Sequence, residues 1–408
     1  MKSLLCIFCI IQVSLLLYAN DDNLNKKSEG IVKINSINDE DNAFKDADRG
    51  KLYQYEDVKI IPLETNRSCL LSEVVDISFA DSLIFVLDFR NGLFVFDKNT
   101  GTFLNKIGQK GEGPEEYLTS NSYFLDETKR TVTIIDEMKN ILLEYDFDGK
   151  FRSRKGILPD LTSLVAHSIL VDDNTILSNY YMFGRKKTAY NLFKRNNLKL
   201  LDEKLYNPIE FIGFAHMFSK HPMAKNGDKV NFIMPLCDTI FSCYNGKFVP
   251  SYIIEHKNKM APRDKFVIEP NSSFGYFKHE YGRKGFFTGF SGYFETKKYM
   301  FLNFENRSSI LGAFFADKEK GKGGYLLYVG SSEDVVKSMQ DIPLESITSC
   351  VDDYFVSCCL PETLFNMKIS KRSKDPVVRK LKEVVDNLQE DDNPILIFYK
   401  LKDYFNEK

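Results

Sequence analysis

A 48-residue repeat constrains this chain more than any other feature. Leu83-Ile84-Phe85-Val86-Leu87-Asp88, a polar turn, Leu93-Phe94-Val95-Phe96-Asp97 and then Gly101 match Val132-Thr133-Ile134-Ile135-Asp136, a polar turn, Ile141-Leu142-Leu143-Glu144-Tyr145-Asp146 and then Gly149. Asp88 and Asp136 are 48 positions apart, as are Gly101 and Gly149. Apolar runs this short are strands rather than helices, and the punctuation of Asp, Asn and Gly between them suits tight turns. A period of this size built from strands predicts the blades of a β-propeller.

Extending the pattern predicts an all-β, six-bladed β-propeller over residues 51–408. The first blade covers Val74–Phe79, Leu83–Leu87, Leu93–Phe96 and Phe103–Ile107. The second covers Ser122–Leu125, Thr131–Ile135, Ile141–Tyr145 and Lys150–Arg154. A divergent third blade is expected at Ser168–Val171, Thr175–Asn179, Tyr190–Lys194 and Leu198–Leu201. For the fourth, Val230–Met234, Thr239–Tyr244 and Phe248–Ile254 are expected to follow an innermost strand near Phe214–Met223. The fifth is expected at Phe287–Phe294, Tyr299–Phe304, Ile310–Ala316 and Tyr325–Val329. Only Ile347–Val351, Tyr354–Cys359 and Ile395–Lys400 remain for the sixth, so the orphan strand Val58–Leu63 is expected to complete it and remove an unpaired edge.

One inserted helix is expected near the C-terminus, where Asp375 caps, Pro376 opens the first turn, and Val377, Val378, Leu381, Val384, Val385 and Leu388 form one stripe. A shorter helix is expected over Glu333–Met339. Residues 20–50, rich in Asp, Asn and Lys, read as a polar linker with a brief strand at Ile31–Ile34.

Charge and leader segment narrow the classes. With 55 basic and 57 acidic residues the chain has no electrostatic footprint for nucleic acid. Lys2, the apolar run Leu4–Tyr18 and Ala19 read as a signal peptide over residues 1–19, too short for a membrane span, so export to a periplasm or cell surface and no transmembrane span in the mature chain are expected. Six cysteines follow the leader. Cys243, Cys350, Cys358 and Cys359 sit in apolar strand patterns and read as small hydrophobes, and no spacing typical of a metal site accompanies them.

Gly108-Gln109-Lys110-Gly111-Glu112-Gly113-Pro114-Glu115-Glu116-Tyr117, directly after Phe103–Ile107, resembles a segment of the exported six-bladed β-propellers of Gram-negative bacteria that are related to the NHL-repeat proteins. Ile61-Pro62-Leu63-Glu64-Thr65, Asp238-Thr239-Ile240-Phe241 and Asp392-Asn393-Pro394-Ile395-Leu396 fit the same resemblance. It implies architecture and export, and no particular activity. Members are often lipoproteins, whereas Cys6 and Cys9 lie too early for a lipidation site. As a phosphate cradle the Gly108–Glu115 loop is poorly placed, because it opens no helix.

Turns between second and third strands and loops between blades share one face, and ligand sites are expected there. The candidate ligand-binding residues are Asp88, Arg90, Asp136, Tyr181, Arg185, His216, His221 and Arg307, with His167 on an adjacent loop. Asp88 and Asp136 are also natural turn caps, and that role is the simpler one. No catalytic set, metal site or cofactor motif is legible. The expected function is a monomeric, exported binding module for a glycan, a peptide or an envelope protein; the alternative is a propeller-type lyase or hydrolase using loop His and Asp residues around the central channel.

Overall fold

The structure is a computed structural model that describes residues 31–40, 42–45, 55–120, 122–157, 165–180, 188–206, 221–234, 236–244, 246–262, 280–305, 311–327, 347–366, 369 and 374–402. The expected signal peptide, the expected helix at Glu333–Met339 and the expected strand region Phe214–Lys220 lie outside them. Three strands come first: β1 (Val32–Ser36), β2 (Phe44–Lys45) and β3 (Tyr55–Pro62). The repeat then unfolds as antiparallel units of four. The first is β4 (Val74–Ala80), β5 (Leu83–Asp88), β6 (Gly92–Asp97) and β7 (Phe103–Ile107), and the second is β8 (Ser122–Asp126), β9 (Thr131–Asp136), β10 (Ile141–Asp146) and β11 (Phe151–Gly156). Next come β12 (Val165–Asp172), β13 (Thr175–Tyr180), β14 (Thr188–Lys194) and β15 (Leu200–Tyr206).

A fourth unit holds β16 (Met223–Asn226), β17 (Lys229–Ile233), β18 (Thr239–Tyr244) and β19 (Lys247–Ile254), and a fifth holds β20 (Phe290–Glu295), β21 (Tyr299–Glu305), β22 (Leu311–Asp317) and β23 (Lys322–Leu327). The last sheet combines β24 (Ile347–Val351), β25 (Tyr354–Cys359) and β26 (Ile395–Leu401) with β3, in the order β24-β25-β26-β3. Helices α1 (Pro361–Phe365) and α2 (Pro376–Asp386) lie between β25 and β26.

Burial explains the strand sequences. The second strands β5 and β9 are buried at every residue because sheets pack on both their faces, so they read as unbroken apolar runs. The fourth strands β7 and β11 lie at the periphery and alternate partly buried with exposed residues. First strands run side by side in chain order: β8 lies against β12, β12 against β16, β16 against β20, β20 against β24, and β24 returns to β4.

The chain ends meet as the orphan strand predicted. Ile395 pairs with Pro62 and Lys400 with Asp57, antiparallel, and Ile60 and Leu63 are each 3 % exposed. Gly101 at φ +74° seats the first unit on this junction; a Cβ there would meet the Pro62 carbonyl oxygen at 2.0 Å. Helix α2 begins as expected, with the Asp375 carboxylate accepting from the Val377 amide at 2.8 Å; Val377, Leu381, Val384, Val385 and Leu388 pack on the cluster that holds Ile60 and Ile397, and Val378 is buried as well.

The brief strand expected in the linker does more than connect. β1 lies parallel to β19 through Val32–Ile34 and parallel to β23 through Asn35 and Ser36, and so joins the fourth and fifth units into one ten-stranded sheet with β2 on β23. Ile34 is fully buried. Ile34 is the one buried hydrophobic residue of β1, so the strand's polar sequence gives no sign that it pairs with two units. Glu295, 3 % exposed, ties the same two units from within: it accepts from Asn226, Asn231, Tyr293 and Lys318, and Lys318 also donates to the Thr296 carbonyl at 2.7 Å.

Several boundaries differ from expectation for physical reasons. Leu198 looks like strand but is a buried turn residue at φ +52°, and the strand resumes at Leu200. β16 is short, with Met223 and Ala224 as its buried pair, so the neighbouring apolar stretch outranked it. β23 starts at Lys322 because Gly323 is a strand residue that makes room for Phe314, whose ring would lie 2.2 Å from a Cβ there. The described cysteines are all free; Cys358 and Cys359 pack into different clusters, and burial pushes the Cys358 thiol up to about 12.

Candidate functional site: a central cavity with an Asp–Tyr–His cluster

First strands of every unit surround one cavity of about 790 Å³. Its wall includes Asp76 on β4, Tyr123 on β8, His167 on β12, His221 just before β16, Phe294 on β20 and Cys350 on β24. Strand alternation aims every second residue of these strands inward, so one polar residue per strand suffices to build a polar centre.

Those polar residues meet. Tyr123 donates its hydroxyl to Asp76 Oδ2 at 2.6 Å and approaches Ser78 Oγ at 2.9 Å, while Ser78 donates to the same carboxylate oxygen at 3.1 Å. On the opposite carboxylate oxygen, His221 Nδ1 lies 3.4 Å from Asp76 Oδ1. The His167 and His221 rings are 5.7 Å apart, and His221 also lies 5.2 Å from Phe294. The His167 amide donates to Asn179 Oδ1 at 2.9 Å, which fixes the backbone behind its ring.

Electrostatics divide these groups by role. Burial pushes the Asp76 carboxyl up, but the two histidines and the Tyr123 and Ser78 hydroxyls outweigh it and hold the group below the ordinary carboxylate range. Burial lowers His167 to about 4, against the pull of Asp76 and with the help of His221, so its imidazole is neutral at neutral pH. Tyr123 is pushed well above its usual value by burial and by the Asp76 charge, and stays a donor. The cavity wall therefore holds an ionised carboxylate bonded to a fixed phenol, with a neutral imidazole close enough to feel the carboxylate's charge.

The depressed His167 value carries a stability prediction. Between about pH 6.5 and pH 4 the unfolded chain protonates this histidine and the folded chain does not, so the folded state loses stability as pH falls through that window. Denaturant midpoints measured at pH 7 and pH 4.5 should drop less on acidification in His167→Gln than in the parent; an equal drop would refute the assignment.

The sequence-derived candidates divide sharply. His221 lines the cavity, as does His167. Tyr181, Arg185, His216 and Arg307 lie outside the described residues. Arg90 is exposed and does not line the cavity. Asp88 and Asp136 are wholly buried, cap their turns and do not line the cavity. Asp88 accepts from the amides of Ser72, Glu73, Arg90 and Asn91, and Asp136 from those of Leu118, Met138 and Lys139. Asp88→Ala strands several of these donors and should lower stability by about 1–3 kcal/mol in equilibrium unfolding, without changing the central cavity.

The Gly108–Tyr117 loop is likewise a connection. Lys139 Nζ donates to the carbonyls of Gly111, Gly113 and Glu116, and the Glu116 carboxylate accepts from the Gly113 amide. Lys139 from the neighbouring turn and Lys110, which donates to the Phe89 carbonyl at 2.9 Å, tie the loop to the units it connects.

Asp76 and Tyr123 are not among the sequence-derived candidates because they lie within strands β4 and β8 rather than in turns or loops. A polar residue interrupting the apolar first strand, as Asp76 does between Val75 and Ile77, was the available signal.

Comparison with known proteins follows the architecture. The sequence signature of the domain of unknown function DUF4934 matches residues 29–400. The chain belongs to the DUF4934 family. The match takes in β1 as well as the whole set of sheets, so the strand between the fourth and fifth units lies inside the family's domain. A Bacteroides fragilis protein classed as exported has a similar structure, with 21% identity and a TM-score of 0.69 over 91% of this chain and 100% of that one. A Bacteroides vulgatus member of the DUF4221 family is similar at 8% identity and a TM-score of 0.51, covering 86% of this chain and 97% of the other. Both likenesses concern the fold. No curated protein matches the DUF4934 chain. Among the described residues no helix is long and apolar enough to cross a membrane, and no group of three or more His, Cys, Asp or Glu side chains is placed to hold a metal ion.

Proposed function

We propose that this chain is an exported six-bladed β-propeller, related to the NHL-repeat type, that binds a small polar ligand in its central cavity. In this reading the antiparallel units of four are the blades, and the ten-stranded sheet is two blades bridged by β1. The observation that carries the binding site is the convergence of Asp76, Tyr123, His167 and His221, from four different units, on one cavity. A concave site with a few convergent polar groups and shifted titrations is where ligand recognition is concentrated in folds of this size. Support for export comes from the leader-like N-terminus and from the Bacteroides fragilis neighbour.

The reading is tested by thermal shift with the mature full chain against panels of mono- and disaccharides and short peptides, since a ligand of the folded state raises apparent stability by mass action. A hit should be lost in Tyr123→Phe/His221→Gln. No shift with any compound would overturn it in favour of a protein partner.

A second reading is acid–base catalysis. The Asp76–His221 contact beside a neutral His167 favours it, because a carboxylate-oriented imidazole is suited to proton transfer. Product formation from the same sugar panel, abolished by His221→Gln, would favour this reading over simple binding.

A further inference from the structure

We propose that the ligand of the central cavity is a cation, a protonated amine of about the size of an amino sugar or a short polyamine, with Asp76 as its counter-charge. The proposal rests on the cavity-binding reading above and names the chemistry of the ligand.

Charge is unevenly distributed. The chain as a whole is close to balance, yet the cavity wall carries seven acidic side chains against two lysines. Lys98 pairs with Asp352 at 3.3 Å, and Lys225 is held by the Leu170 carbonyl at 2.8 Å, so the acids remain in excess on this wall. Some of the acids are also matched. Asp81 pairs with Arg130, and Asp126 pairs with Arg195. Glu127 and Asp173 at the mouth have no ion-pair partner among the described residues, and both are exposed.

Depth adds a second, independent reason. Asp76 sits inside the cavity with hydroxyls and a histidine as its contacts, and no lysine or arginine approaches it among the described residues. A carboxylate removed from bulk water without a permanent cation is a stronger site for an incoming ammonium than the same group on an open surface. The aromatic residues Tyr123 and Phe294 line the same space, where an aromatic ring can attract a cation through its π-electrons. Acidic residues at the mouth and a low-dielectric wall also focus the field toward the interior, which raises the local concentration of cations and lowers that of anions. A carboxylated or phosphorylated ligand would meet repulsion at both levels.

The experiment is calorimetric titration of the mature full chain with glucosamine, spermidine, N-acetylglucosamine, glucose and glucuronate. Glucosamine and N-acetylglucosamine differ in amine charge, so their comparison isolates it. The expected result is binding of glucosamine or spermidine, at least tenfold weaker binding of the neutral and anionic sugars, and weakening by added salt. Asp76→Asn should lower amine affinity at least tenfold. Glu127→Gln/Asp173→Asn, at exposed positions that do not threaten the fold, should lower it several-fold, whereas the distant exposed pair Glu390→Gln/Asp391→Asn should leave it unchanged. Neutral or anionic sugars binding as well as amines would overturn the charge inference and leave the cavity reading standing. Amine binding insensitive to both Asp76→Asn and the mouth pair would also overturn it. Failure of every compound to bind would remove both.

Discussion

Deleting residues 1–64 is expected to abolish cooperative folding, because it takes away the strand that completes the last sheet. β3 contributes Ile60 and Ile61, with Leu63 just beyond it, each 9 % exposed or less, and the burial of such side chains is worth about 1.5–3 kcal/mol apiece. Their sum is comparable with the whole stability of an ordinary domain, about 5–15 kcal/mol. Loss of β3 also uncovers the edge of β26, an apolar strand with every residue but Lys400 buried, and an edge of that kind invites aggregation. The measurement is soluble yield together with denaturant unfolding. A permuted chain starting at Thr65, with residues 55–64 joined after Lys402 through a short turn, should recover a cooperative transition, since Leu401 already pairs with Tyr55. That rescue assigns the loss to β3 rather than to β1. A truncated protein that unfolds with an unchanged midpoint would contradict this account of how the chain ends are held.

The next largest effect is expected at Lys318. Its ammonium is 5 % exposed and satisfied by Glu295 and the Thr296 carbonyl, and the carboxylate opposite is fully enclosed. Lys318→Met keeps most of the side-chain volume but leaves the Glu295 charge with only the neutral donors Asn226, Asn231 and Tyr293. Removing one partner of a buried ion pair typically costs about 3–5 kcal/mol. Glu295→Gln should cost a similar amount, with the double variant less destabilised than the two single changes added together, as expected for residues in direct contact. Urea unfolding of the four proteins supplies the cycle, and strict additivity would show that the pair does not act as a unit.

Legibility in the sequence followed repetition and patterning. The first two units could be delimited almost to the residue because their second and third strands are continuous apolar runs separated by Asp-rich and Gly-containing turns. The helix at Asp375 was equally plain, since cap, proline and stripe agree. In the third and fifth units local appearance misled: the buried Leu198, at positive φ, looked like the start of a strand, and the strand expected from Tyr325 begins at Lys322 because Phe314 requires a glycine within it. The candidate site was legible only through its histidines. Asp76 and Tyr123 are single polar residues inside apolar strands, and their meaning depends on sheets far apart in sequence facing one centre, which no local pattern encodes.

The pairing of β3 with β26 has a temporal consequence. Asn393 and Thr65, which touch at that junction, are 328 positions apart, so a segment made early in synthesis has no resting place until nearly all the rest has been made. Such distant contacts slow folding, because the ordering cost precedes the reward. During that interval Ile60, Ile61 and Leu63 stand open to water, and whatever escorts the nascent polypeptide must keep them from other chains until translation reaches the final strand.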